Sequence, residues 1–232
     1  MNKKLLVLSA VLFVLFAGFT YCINKVDVAS VSILPAPGVE AEAETVEIGF
    51  AKLNLAMRDA LGFNELFYKS TTLLGYAAVA LCVVFACLGL YQWITRKSLK
   101  NVDPEIIILG VVFVIALAIY FAFDYLALNF RPWILDAEEG LDASYPSSHT
   151  ILGMVGFLCG IRLANTYLPK KLKGIATALL IILPTLITVG RIFSGAHWIT
   201  DFAGALLVSG AIVTLFYGLV GKRKQKENTD EN

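Results

Sequence analysis

Charge is what this sequence has least of. A water-facing domain draws about a quarter of its residues from Asp, Glu, Lys and Arg, whereas these supply 16% of the 232 residues here, against 58% hydrophobic. An ordinary soluble globule is excluded, and the composition points to a chain built for lipid. Histidine is rarer still: any imidazole chemistry rests on His149 and His197. The four cysteines, Cys22, Cys82, Cys87 and Cys159, lie in or beside apolar runs with no metal-ligand spacing. A zinc module and a disulfide framework are therefore not indicated, and the thiols are read as small buried hydrophobes. Low-complexity tracts and internal repeats are lacking too. With a net charge of +1, nucleic acid is not expected among the partners.

What the chain does have is long apolar runs. A helix needs about 20 mostly apolar residues to cross the hydrocarbon, and six segments qualify, residues 5–23, 72–94, 106–128, 150–168, 175–189 and 199–220. The fold expected is all-α: a polytopic six-helix membrane bundle forming a single domain over residues 1–232. Within it, residues 24–70 form an outer segment, 71–221 the catalytic bundle and 222–232 a basic, solvated tail. Lys3 and Lys4 ahead of the first run also permit a cleaved signal peptide, but that run exceeds the usual h-region of about 7 to 15 residues. Basic residues gather on the cytoplasmic side of short loops. Arg96, Lys97, Lys100, Lys170, Lys171 and Lys173 therefore place both termini in the cytoplasm.

On this topology three polar stretches emerge together on the extracytoplasmic surface: "NFRPW" at 129–133, "YPSSH" at 145–149 and "GRIFSGAHWITD" at 190–201. Their residue types suit a phosphate ester. Arg131 and Arg191 are permanently charged forks that match phosphate oxygens. Ser147 and Ser148 open a helix, where unpaired N–H groups and the dipole favour an anion. His197 and Asp201 stand four apart, so on a helix the carboxylate accepts the Nδ1 proton and leaves Nε2 free to attack phosphorus. His149 then serves as general acid, and later as the base that activates water.

These motifs resemble the signatures of the type 2 phosphatidic acid phosphatase superfamily, to which the vanadium haloperoxidases also belong. The resemblance runs from Asp124 to Asp201 and is carried by Arg131-Pro132, by Pro146 to His149, and by Arg191 with its five-residue spacing to His197 and three more to Asp201. It implies His197 as nucleophile, Asp201 as its partner and His149 as acid and base. Arg131, Arg191, Ser147 and Ser148 become the phosphate cradle, with no metal or other cofactor. Three positions depart from the family pattern: Asp124 stands where a lysine is usual, Ser148 where a glycine is, and Gly190 where a serine is. The first removes a cation and supplies an anion, though the nucleophile and acid remain.

The remaining polar residues are read as structural. Arg162 is expected to snorkel toward headgroups. Asp136, Glu138, Glu139 and Asp142 are taken as a solvated loop. Phe50, Leu53, Met57 and Leu61 recur at helical spacing, as in an interfacial helix or one packed on the outer loops. The function this implies is a membrane lipid phosphatase acting on the outer face, with undecaprenyl diphosphate favoured over phosphatidate and phosphatidylglycerol phosphate. Phosphoryl transfer to an acceptor, and lipid-phosphate binding without catalysis, are the competing readings.

Overall fold

The computed structural model describes residues 1–221, and the basic tail lies outside the described residues. Asn2 opens the first helix, α1 (Lys3–Ile23), its side chain accepting the Lys4 N–H at 3.2 Å. Asn64 does the same for α3 (Glu65–Arg96), accepting from Phe67 N–H at 3.1 Å. A proline at the first position, preset in φ and lacking an N–H, starts α4 (Pro104–Leu126). Then come α5 (Ser148–Tyr167), α6 (Lys170–Ser194) and α7 (Ile199–Val220). These six helices are long and apolar enough to cross a membrane. The chain is a multi-pass membrane protein.

Lipid tails are as apolar as leucine, so close packing rather than water exclusion must hold such a bundle together. α5 and α7 form the inner pair; α1 lies along α7, and α3, α4 and α6 surround α5. Small residues on α5 permit the approach: a side chain at Gly160 would meet Phe85 of α3 at 3.2 Å. Ser9 ties α1 to α7 by donating to the Ala211 carbonyl at 2.8 Å. Alternate helices run in opposite directions, so the chain start and the end of α7 share one end of the bundle, where Asn2 N–H meets Gly218 O at 2.7 Å. The starts of α3, α5 and α7 share the other, called here the motif end.

The all-helical expectation describes the membrane part; the outer segment adds a small sheet. β1 (Ala29–Pro35) pairs antiparallel with β2 (Glu44–Ile48), Val31 opposite Val46, and parallel with the two-residue β3 (Trp133–Ile134). Period-two alternation turns Val31 and Ile33 inward, where Ile48, Ala51, Ile134 and Trp198 complete a second, small core at the motif end. The helix expected in this segment exists as α2 (Ala51–Leu61), but it packs on the outer loops. Its buried face carries Ala51 and Asn54, while Leu53 of the expected apolar stripe is 55% exposed. A buried amide explains the choice: Asn54 Nδ2 donates to Gly49 O at 2.9 Å and to Thr200 Oγ1 at 3.1 Å, bonds it would forfeit facing lipid.

Three further residues differ from the sequence reading. Arg162 does not snorkel; it is bound to Glu105 of α4, Nε to Oε1 at 2.8 Å. Asp142 is not a free loop acid but a partner of Arg131. Cys87 is exposed rather than buried.

Candidate functional site

The turn between α6 and α7 is built around Gly195, at φ +67°, where an added Cβ would lie 1.8 Å from the Gly62 carbonyl oxygen. Only glycine can bring the chain around so tightly there. The turn ends at Trp198, whose N–H is accepted by Asp201 Oδ2 at 3.0 Å, so Asp201 caps its own helix from the first turn. The same oxygen faces His197 Nδ1 at 3.3 Å. On the other side of the ring, Arg131 Nη1 lies 3.0 Å from Nε2. A guanidinium can only donate, so Nε2 holds a lone pair and the proton sits on Nδ1, directed at the carboxylate. Both His197 and Asp201 are buried. Burial first, then the charges of Arg131 and Arg191, hold the His197 imidazole well below the ordinary histidine range, which keeps it neutral.

His149 is arranged in the same way. Arg191 Nη2 donates to its Nε2 at 2.7 Å, which puts the imidazole proton on Nδ1, a buried atom without a partner. Arg191 is 1% exposed; its guanidinium lies 4.6 Å over the Tyr68 ring, and Nη2 also reaches Thr72 Oγ1 at 3.1 Å. Its Nε and Nη1 are buried with no partner. A buried cation with two unused donors is costly unless an anion completes it.

Ser147 joins the starts of the two inner helices: its N–H meets Asp201 O at 3.3 Å and its Oγ accepts from Thr150 Oγ1 at 3.2 Å. Ser148, at the first position of α5, lines a cleft with His149. Behind them Tyr145 is buried among Phe16, Phe19 and Phe123 and bonds Thr20 at 2.8 Å, so α1 braces the start of α5 from behind. Of the seven sequence-predicted residues, His197, Asp201, Arg131 and Ser147 form one hydrogen-bonded set, His149 and Arg191 form a second, and Ser148 stands in sequence between Ser147 of the first set and His149 of the second. Asp124 is exposed at the end of α4, with no ion pair among the described residues.

Sequence reasoning started α3 at Thr72 and so missed its first two turns. Tyr68, Thr72 and Gly75 stand four and three residues apart, which puts them on one helical face, but Tyr68 fell in the residues read as the outer segment. A side chain at Gly75 would come within 2.9 Å of the His149 ring. Gly190, where a serine is usual, has a local reason: a Cβ there would sit 2.5 Å from Thr71 Cγ2. Asp142 carried no periodic signal at all.

The cleft, of about 550 Å³, opens between α3, α4 and α5, with Thr72, Ser148 and His149 at its head and Val79, Val83 and Leu117 along its walls. A second cleft of about 380 Å³ shares Cys82, Ala86 and Phe113 with it and continues toward Trp93. Among the described residues, no three His, Cys, Asp or Glu side chains converge at metal-binding separation.

Comparison with known proteins bears on the family and on the fold. The sequence profile of the PAP2 superfamily matches residues 105–225. The fold is similar to the crystal structure of a transmembrane PAP2-type phosphatidylglycerolphosphate phosphatase from Bacillus subtilis, with a TM-score of 0.59 and 15% identity over 91% of this chain and 94% of that one. No curated protein sequence matches the chain.

Proposed function

This chain belongs to the PAP2 superfamily, and on that footing we propose that it hydrolyses the phosphate ester or diphosphate of a membrane lipid through a phosphohistidine. The observation that carries the reading is the polarised His197: Nδ1 faces Asp201 at 3.3 Å and Nε2 presents its lone pair at the arginine cluster. The substrate phosphate is bound by the free edge of Arg191, by Arg131 and by the start of α5 with Ser147 and Ser148. Its negative charge draws Arg191 Nη2 from His149, whose Nε2 then takes up a proton, and Arg131 Nη1 from His197, whose Nε2 lone pair is thereby freed. His197 Nε2 attacks phosphorus, the bond to the lipid oxygen breaks, and His149 delivers its proton to that oxygen. In the second half His149 takes a proton from water, the hydroxide attacks phosphorus, and the P–N bond breaks to give inorganic phosphate and neutral His197. Asp201 stabilises the imidazolium between the two steps. No step calls for a metal.

The apolar cleft below His149 supports a lipid substrate, since a tail can lie between α3 and α4 while the phosphate sits at the head. The basic loops support an extracytoplasmic motif end with both termini inside, and the packing of α1 on α7 supports its retention in the working protein. Undecaprenyl diphosphate, released as a diphosphate on the outer face of a bacterial membrane, is the favoured substrate. The test is phosphate release by detergent-purified protein from undecaprenyl diphosphate, phosphatidate and phosphatidylglycerol phosphate, with and without chelator. Turnover that survives chelation and traps a phosphohistidine on acid-free quenching supports the reading. Turnover that needs added metal, or continues unchanged in His197→Ala, refutes it.

A further inference from the structure

We infer that Asp142 is a positioning residue for the phosphate-binding Arg131, setting which edge of its guanidinium faces the substrate. The inference rests on the phosphate-site reading and extends it to a loop residue outside the motifs.

The loop between α4 and α5 carries Asp136, Glu138, Glu139 and Asp142, and the first three are exposed. Asp142 is half-buried and turned to Arg131. Its Oδ2 accepts from Arg131 Nε at 2.5 Å, and its main-chain oxygen accepts the Arg131 N–H at 2.9 Å. The surrounding ladder locks the register: Phe130 is bridged to Ala143, and Ser144 N–H meets Asn129 O at 2.8 Å. One residue therefore grips Arg131 by both backbone and side chain.

The consequence lies in guanidinium geometry. Arginine presents five donors in a rigid planar fork. With Nε held by Asp142, the plane cannot rotate about the side-chain axis, and the terminal nitrogens project toward His197, Nη1 reaching Nε2 at 3.0 Å. A phosphate arriving at Nε2 then meets the terminal edge of the fork without a search through rotamers. Arg191 is oriented differently, by Tyr68 and Thr72, and keeps Nε free. The two arginines thus offer opposite edges to one anion, and Asp142 is what makes them differ. The carboxylate also offsets one positive charge, so its removal separates two effects: if orientation dominates, anion binding weakens; if charge dominates, it tightens.

The experiment is a double-mutant cycle on the full-length protein in detergent, using orthovanadate as phosphate mimic, read by calorimetry, with phosphate release measured in parallel. Asp142→Ala is expected to weaken orthovanadate binding about tenfold, and to change it less than about twofold when Arg131 is already alanine. Asp142→Asn, which keeps shape and one acceptor oxygen, should fall between, and it carries the test if Asp142→Ala does not fold. Glu139→Ala serves as the loop control and should bind as the parent does. Equal losses in both backgrounds, or tighter binding in Asp142→Ala, overturn the inference. A parent that binds orthovanadate but releases phosphate from no lipid defeats the hydrolysis reading while the cycle still decides Asp142; a parent that binds none overturns both.

Discussion

The bundle has a polar cluster at each end, one assembled from α3, α4 and α5 and the other from α5, α6, α7 and the loop after α4, and they are finished differently. At the end shared by the termini, Asp103 accepts from Arg96 at 2.7 Å on one oxygen and from Gln92 and Tyr167 on the other. Beside it, Glu105 accepts from Arg162 at 2.8 Å and Thr166 at 2.9 Å. Every carboxylate oxygen there has a protein partner. At the motif end, buried atoms of Asn129, His149, Arg191 and Asp201 have none. A closed network holds helices together, whereas an open one keeps donors for something else and is paid for in stability. The same residue types thus serve as clasp at one end and as site at the other.

The sharpest way to break this contrast is at the motif end. His197→Ala should lower phosphate release at least about a thousandfold, because the proposed nucleophile is lost, while the melting temperature holds or rises. A large drop in melting temperature would make His197 part of a clasp instead.

The acid limb of kcat/KM is the second test. Burial and two arginines hold His197 below the usual histidine value, about 6.5. Its neutral form is therefore the folded one. The stability linked to it is complete above about pH 6.5 and is lost as pH falls, because the unfolded chain takes up the proton that the buried ring resists. Activity limited by His197 should persist well below pH 6.5, and Arg131→Met should move the limb upward by removing a neighbouring cation. A limb at the ordinary value in the parent would contradict the cluster.

At the clasp end the expected effect is on stability alone. Arg162→Met leaves Glu105 without its charged partner in a partly buried position, at a cost of about 1–3 kcal/mol. Thermal unfolding should register this while kcat stays within about twofold. The smallest effect is expected for Asp124→Lys, since Asp124 is exposed and makes no ion pair among the described residues; phosphate release should change less than about threefold. A large gain would mean that the lysine usual there acts at longer range than this geometry allows.

Much of this was legible in the sequence, for definite reasons. The six spans follow from length and hydropathy, because the hydrocarbon imposes both. The His197–Asp201 contact follows from a four-residue spacing at a helix start, where the helix itself brings the pair together. Three chain stretches with convergent phosphate chemistry marked the site. Less was legible where partners come from afar. The β1–β3 pairing joins residues about a hundred apart, the Asp142 grip on Arg131 has no period, and the α3 face of Tyr68, Thr72 and Gly75 was hidden by a misplaced helix start. Arg162 looked like a snorkelling arginine because only the fold shows Glu105 beside it.

The sequence by itself determined that this is a membrane-spanning helical chain with two histidines, two arginines and a helix-start serine pair at one end. Those features depend on local spacing and on the solvent the chain must enter. Only the tertiary structure decided which nitrogen of each histidine bears the proton, which donors of Arg191 remain free, and which acid holds Arg131. Hydrogen-bond direction and burial are set by neighbours in space, and those neighbours lie on different helices.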